Sequence, residues 1–127
     1  MTPTKIQLHK QSRQLELHFG PEQFVLSAEF LRVHSPSAEV KGHGPGQAVL
    51  QYGKRDVGIQ RIERAGNYAL KLVFDDGHET GIYTWDYLYQ LGKQQASLWE
   101  SYLTELHNAG KTRQANTSVV RLIDPAQ

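Results

Sequence analysis

Six histidines and no cysteine set the terms on which this 127-residue chain could do chemistry. A non-haem iron centre needs a His-x-Asp or His-x-Glu pair plus a distant histidine. No histidine here has an acidic residue two places on. The chain also lacks a Gly-x-x-x-x-Gly-Lys-Ser/Thr phosphate loop, a Gly-x-Gly-x-x-Gly fingerprint and a Gly-x-Ser-x-Gly nucleophile elbow. Gly42-His43-Gly44-Pro45-Gly46 is glycine-rich, but Pro45 removes an amide donor and no helical pattern follows at once. A flexible loop explains it better than a phosphate cradle. No reacting group has a base or metal ligand beside it in a known template, so the expectation is a protein without catalytic activity of its own.

Two clusters remain. His34, Glu39 and His43 crowd one segment, and His78 follows the Asp75-Asp76-Gly77 turn. Together they offer nitrogen and oxygen donors for zinc or iron, which is the alternative reading. Their loose spacing favours solvated loop and turn residues instead, so no metal or other cofactor is expected. Asp75 and Asp76 suit a turn beside a required glycine better than an acid–base pair, because Asp bonds its own backbone there. Trp85, Tyr87, Tyr89, Trp99 and Tyr102 form an aromatic-rich end. Most of them belong in a core, and a tyrosine or two left at the surface could anchor a partner.

The elements that must position these groups follow from apolar periodicity. Ile6 and Leu8, then Leu15, Leu17 and Phe19, alternate as two strands of a hairpin linked by Lys10 to Gln14. Gly20-Pro21 breaks the pairing before Phe24, Val25 and Leu26. Ser27 caps about two helical turns that bury Phe30, Leu31 and Val33. His34 to Gln47 holds two prolines and three glycines without an apolar period, which predicts a long functional loop. Val57, Ile59 and Ile62 slip parity once, as a bulge would. Tyr68, Leu70, Leu72 and Phe74 alternate, and Thr80 and Ile82 resume the pattern after a turn with Asp76 and Gly77 at positive φ.

Helices follow the strands. Thr84 caps a short one from Trp85 to about Leu91, ended by Gly92. A second carries Trp99, Tyr102, Leu103 and Leu106 on one stripe toward the sheet, and Gly110 stops it. The order predicts an α+β domain over residues 1–112: a small antiparallel sheet of hairpins, a short helix after the third strand, and two C-terminal helices packed on the sheet. Residues 113–127 read as a polar, flexible tail.

Fourteen basic against thirteen acidic residues give a net charge of +1, so no long-range field draws the chain to nucleic acid or to a membrane surface. No apolar run follows Met1 and none later approaches membrane-span length, so a cytoplasmic protein is expected.

Leu31 to Val40, Gly42 to Gln47, Gly66 to Leu70 and Phe74 to Trp85 together resemble the gamma-butyrobetaine hydroxylase-like N-terminal domain family over about residues 5 to 107. The resemblance implies a domain found alone in bacteria, fused to Mrp-type iron-sulfur carrier ATPases, or ahead of the catalytic jelly roll of carnitine-pathway oxygenases. It implies a non-catalytic interaction module with a protein partner, an iron-sulfur carrier or an oxygenase, and leaves a homodimer open. In the oxygenases a Cys-Pro-Cys-x-x-Cys motif and a later histidine hold zinc. Those positions are Ser35, Ser37, Val40 and His78 here, so one ligand of four is kept and the zinc site is expected to be absent. The binding surface is then expected on the 34–47 loop and the adjacent turn, with Arg32, His43, Asp76 and His78.

Overall fold

A computed structural model describes residues 1–115. β1 (Lys5–His9), β2 (Gln14–Phe19) and β3 (Glu22–Ser27) form one antiparallel sheet in that order. Leu15, Leu17 and Phe19 are buried on the inner face of β2, while Glu16 and His18 alternate to the outer one. Gly20-Pro21 does not break the pairing but closes a second hairpin, with Phe19 opposite Glu22. Gly20 has φ +64° and the proline ring demands a negative φ, the signs of a II′ turn whose twist suits the strands.

α1 (Ala28–Val33) follows directly, and the Ser27 hydroxyl accepts the Phe30 amide at 3.0 Å as its cap. All six of its residues are buried, Glu29 and Arg32 included. A helix this short exists because its surroundings hold it, since isolated helices of that length do not form in water.

The 34–47 segment is not all loop. It contains α2 (Ala38–Lys41), where the Ser37 hydroxyl accepts the Glu39 amide at 3.2 Å. Gly42 ends the turn at φ +77°, and the Gln47 backbone occupies the place a Cβ would take. Only glycine fits both demands.

β4 (Ile59–Ala65), β5 (Ala69–Phe74) and β6 (Ile82–Thr84) make the second antiparallel sheet, with the expected register shift between Ile59 and Arg61. β5 is buried on both faces through Ala69, Leu70, Leu72, Val73 and Phe74. In the turn after it Gly77 has a positive φ, at +92°, but Asp76 does not, and pairing resumes at Ile82, later than Thr80. The wider excursion carries His78 and Thr80 toward α2.

α3 (Trp85–Lys93) starts at Thr84, whose hydroxyl accepts the Tyr87 amide at 3.1 Å. Gly92 lies inside this helix and does not end it. A Cβ there would strike the Phe24 ring, so the glycine permits close packing of α3 on β3. α4 (Gln95–Ala109) ends as expected at Gly110, with φ +67° and the Lys111 amide bonded back to the Leu106 carbonyl at 2.9 Å. Its stripe buries Tyr102 and Leu106 against Val33 and Leu50 more than against a sheet, and Leu103 at the stripe's edge is exposed.

The inner faces of both sheets share one core with Phe30, Leu31, Trp85 and Leu88. Each fully buried leucine there contributes about 2 kcal/mol of transfer free energy. No helix among the described residues is long and apolar enough to cross a membrane. The fold is α+β, with two three-stranded sheets in place of one.

The tail boundary also moves. Arg113 donates to both Glu29 carboxylate oxygens at 2.7 and 2.8 Å, and the Gly53 and Arg55 amides bond the carbonyls of Thr112 and Arg113. Arg113 therefore belongs to the folded body. Residues 116–127 of the expected tail lie outside the described residues.

Candidate functional site: the hydrogen-bonded corner around His78

Three of the four positions that the family resemblance pairs with zinc ligands, Ser35, Ser37 and His78, meet through hydrogen bonds. The Ser35 hydroxyl donates to His78 Nε2 at 2.8 Å, and the Ser37 amide donates to the Ser35 oxygen at 3.2 Å. Val40, the fourth, is buried on α2, where its amide bonds the Ser37 carbonyl at 3.0 Å. On the far side of the imidazole, His78 Nδ1 lies 3.2 Å from a Glu39 carboxylate oxygen. Thr80 donates to that same oxygen at 3.0 Å and receives the Ser37 hydroxyl at 2.8 Å. Ser35, His78, Glu39, Thr80 and Ser37 thus close a ring of polar contacts, and the tautomer with hydrogen on Nδ1 suits both neighbours of the imidazole.

Burial lowers the pKa of His78, and the Arg32 charge lowers it further, against the opposite pull of Glu39 and Asp76. The ring is therefore held neutral, as its acceptor role toward Ser35 requires. The turn is fixed from below as well. Asp76 receives Arg32 Nε at 2.9 Å, Lys54 Nζ at 2.7 Å and the His78 amide at 3.1 Å. Partial burial disfavours its charge, but the Lys54 and His78 hydrogen bonds and the Arg32 charge outweigh that, and its pKa lies below the usual value. Arg32 also donates to the Gln51 side chain at 3.1 Å, tying α1 to the loop beyond α2.

Ser35, His78 and Glu39 stand in the atom order of a hydrolase triad: hydroxyl, Nε2, Nδ1, carboxylate. Ser35, however, is 0% exposed. The depression beside the corner is lined by Pro36, Ser37, Ala38, Glu39, Thr80 and Ile82, without Ser35. A nucleophile needs room for an acyl group at about 3 Å, and this hydroxyl has none. The donors do not suit zinc either, since neutral hydroxyls are weak ligands and valine offers none.

Other expected groupings separate. Arg32 and His78 are 7% and 8% exposed, so they cannot form a surface with His43 and Asp76 as expected; their charges and hydrogen bonds are spent inside the domain. His43 is exposed on the loop. His34 turns away from the corner: its Nδ1 bonds the Phe30 carbonyl at 2.8 Å and its ring packs on Phe30, and burial lowers its pKa. Of the alternative metal set His34, Glu39, His43 and His78, only Glu39 and His78 meet. Among the described residues no three His, Cys, Asp or Glu side chains converge as a metal site would require. Thr80, Lys54 and Gln51 were not evident as members of the corner. A Ser-Pro-Ser-Ala-Glu run does signal a capped turn, but nothing local marks their long-range partners.

Comparisons agree with this architecture. The family model described as gamma-butyrobetaine hydroxylase-like, N-terminal, matches residues 6–89. A protein solved by solution NMR is 58% identical, with 94% of each chain covered and a TM-score of 0.81. A second NMR structure is 51% identical over 90% of this chain and 86% of that one, with a TM-score of 0.77. A crystal structure of a DUF971-family protein of unknown function from Acidithiobacillus ferrooxidans is 34% identical over 72% of this chain and 92% of that one, at a TM-score of 0.60. Proteins of curated function gave no match. With two thirds of its length under the family model and its core elements shared with solved relatives, the chain belongs to the gamma-butyrobetaine hydroxylase-like N-terminal domain family.

Proposed function

We propose that this domain is a non-catalytic interaction module that displays the segment from His43 to Tyr52 to a protein partner. The observation that supports this most is how the segment is held. It has no regular structure, yet the Val49 amide bonds the Val40 carbonyl, Tyr102 donates to the Gln51 carbonyl, and the Lys111 ammonium lies over the Tyr52 ring. Between these ties Val49 and Tyr52 stay 53% and 42% exposed. An exposed tyrosine on a pre-ordered loop is what a binding hot spot requires, because little entropy remains to be lost on docking. The internally satisfied corner then acts as the fixed base of the loop and not as a reacting group.

Through the family resemblance, an iron-sulfur carrier ATPase or an oxygenase of the same cell is the partner to test, and the cytoplasm is the compartment where they would meet. Metal enters this reading only weakly, because Glu39 and His78 already satisfy each other. The test is calorimetric titration of the chain with each purified candidate. Val49→Asp with Tyr52→Ala should weaken binding by about tenfold or more, while Arg61→Ser on β4 should leave it unchanged. No binding to either candidate, or an unaffected double variant, would overturn the proposal.

A further inference from the structure

A cleft of about 730 Å³ opens between the turn of the first hairpin, α1, the 55–57 segment and the start of α4. That volume is in the range of small-molecule sites, roughly 300–1,000 Å³. Its lining is rich in guanidinium: Arg13, Arg55 and Arg113 face it, against the carboxylates of Glu29 and Asp56. Glu29 is already taken by Arg113, which also lies over the Trp99 ring at 5.1 Å. Among the described residues, Arg113, Arg32 and Arg61 are paired with carboxylates, whereas no ion pair involves Arg13 or Arg55.

Two further features point the same way. Arg13 sits at φ +57°, the one non-glycine residue among those described with a positive φ. Glycine would occupy that turn position without strain, and such strain commonly marks functional positions. Its carbonyl receives the Ala28 amide at 2.8 Å, which fixes the turn beside α1. Gln95 and Ala96 of the first turn of α4 also line the cleft; Gln94 supplies no side-chain cap there and no acidic residue lies in that turn. The first turn of α4 thus borders a concavity also lined by Arg13 and Arg55, which form no ion pair among the described residues. Trp99, beneath the Arg113 guanidinium, adds an apolar part of the lining.

We propose that this cleft binds a small organic anion: a carboxylate or phosphate monoester on a flat or apolar body, its charge held by Arg13 and Arg55 and its body against Trp99. The experiment is a titration of the full ¹⁵N-labelled chain followed by NMR. Benzoate, phenyl phosphate and adenosine monophosphate are the anionic probes, and benzyl alcohol is the uncharged one. At least one anion should give saturable shifts at the Trp99 indole and in residues 12–13, 55–57 and 95–96, with benzyl alcohol giving none there. The carboxylate and phosphate arms identify which group is read.

Arg13→Gly should weaken binding about tenfold, the loss of a charge-assisted hydrogen bond, while its melting temperature is unchanged or higher because the strain is gone. Arg55→Gln gives a second reading at a position with unstrained backbone. Lack of saturable shifts from any anion up to about 10 mM, or wild-type affinity in both variants, would overturn the proposal. Either result is distinguishable from failure of the loop proposal, since no protein partner takes part.

Discussion

The corner around His78 and the cleft around Arg13 are both rich in polar side chains, yet they have opposite characters. In the corner each donor is matched by an acceptor, and Ser35 and His78 are closed off from solvent. In the cleft two guanidiniums line a cavity and form no ion pair among the described residues. Polar groups that satisfy one another hold a fold in shape, whereas polar groups left aimed at a concavity remain available to a ligand. A conspicuous cluster of histidine, serine and glutamate therefore serves as scaffold here, while the less conspicuous arginines are the ones open to a concavity.

The comparison can be broken most forcefully at His78. His78→Ala removes a buried ring and strands the Ser35 hydroxyl, which should cost about 2–3 kcal/mol. Urea denaturation checks this, and a loss under about 0.5 kcal/mol would show that the corner is not a scaffold. Next in size is Arg113→Ala. It leaves Glu29, only 6% exposed, without its bidentate partner, for a loss of about 1.5 kcal/mol because the adjoining cleft admits water to the carboxylate. The same denaturation assay serves, and an unchanged midpoint would return Arg113 to the tail.

The smallest effect sharpens the contrast through pH. His78 and His34 both have folded pKa values below the ordinary 6.5, each mainly through burial. The unfolded chain then binds more protons than the folded one between those lowered values and 6.5. Their stabilisation is complete above that window and is lost as pH falls through it. Asp76, Glu16 and Glu22 lose theirs only at lower pH, beneath the ordinary carboxylate values. Stability measured at steps from pH 7.5 to 5 should therefore fall, and His78→Asn should flatten part of that fall. A flat wild-type profile would remove the neutral imidazole from the account.

Much of the fold could be read from local pattern. Alternation in Leu15-Glu16-Leu17-His18-Phe19 named a half-buried strand, Ser27 and Thr84 named helix starts, and Gly110 a helix stop. Each of these depends on neighbours within four residues. The misreadings came from contacts across the chain. Gly92 looked like a terminator, yet it serves the Phe24 ring of β3. Gly20-Pro21 looked like a break, but β3 could only be recognised as the partner of β2 by the register it completes. Arg32 looked like a surface charge because its partners, Asp76 and Gln51, are 44 and 19 residues away.

The candidate sites divide in the same manner. That Ser35, Ser37, Val40 and His78 offer no thiolate was decided by residue identity alone, because a side chain's donor chemistry does not depend on its neighbours. Which groups these positions bond was decided only when β5, β6 and α2 were brought together, placing Thr80 and Glu39 on either side of one bond and His78 against Ser35. The Arg13 cleft was likewise invisible in the chain, since its walls come from five separated segments. Hydropathy and capping act over one or two turns of backbone, but hydrogen-bond partners and cavities are properties of surfaces that exist only after distant segments meet.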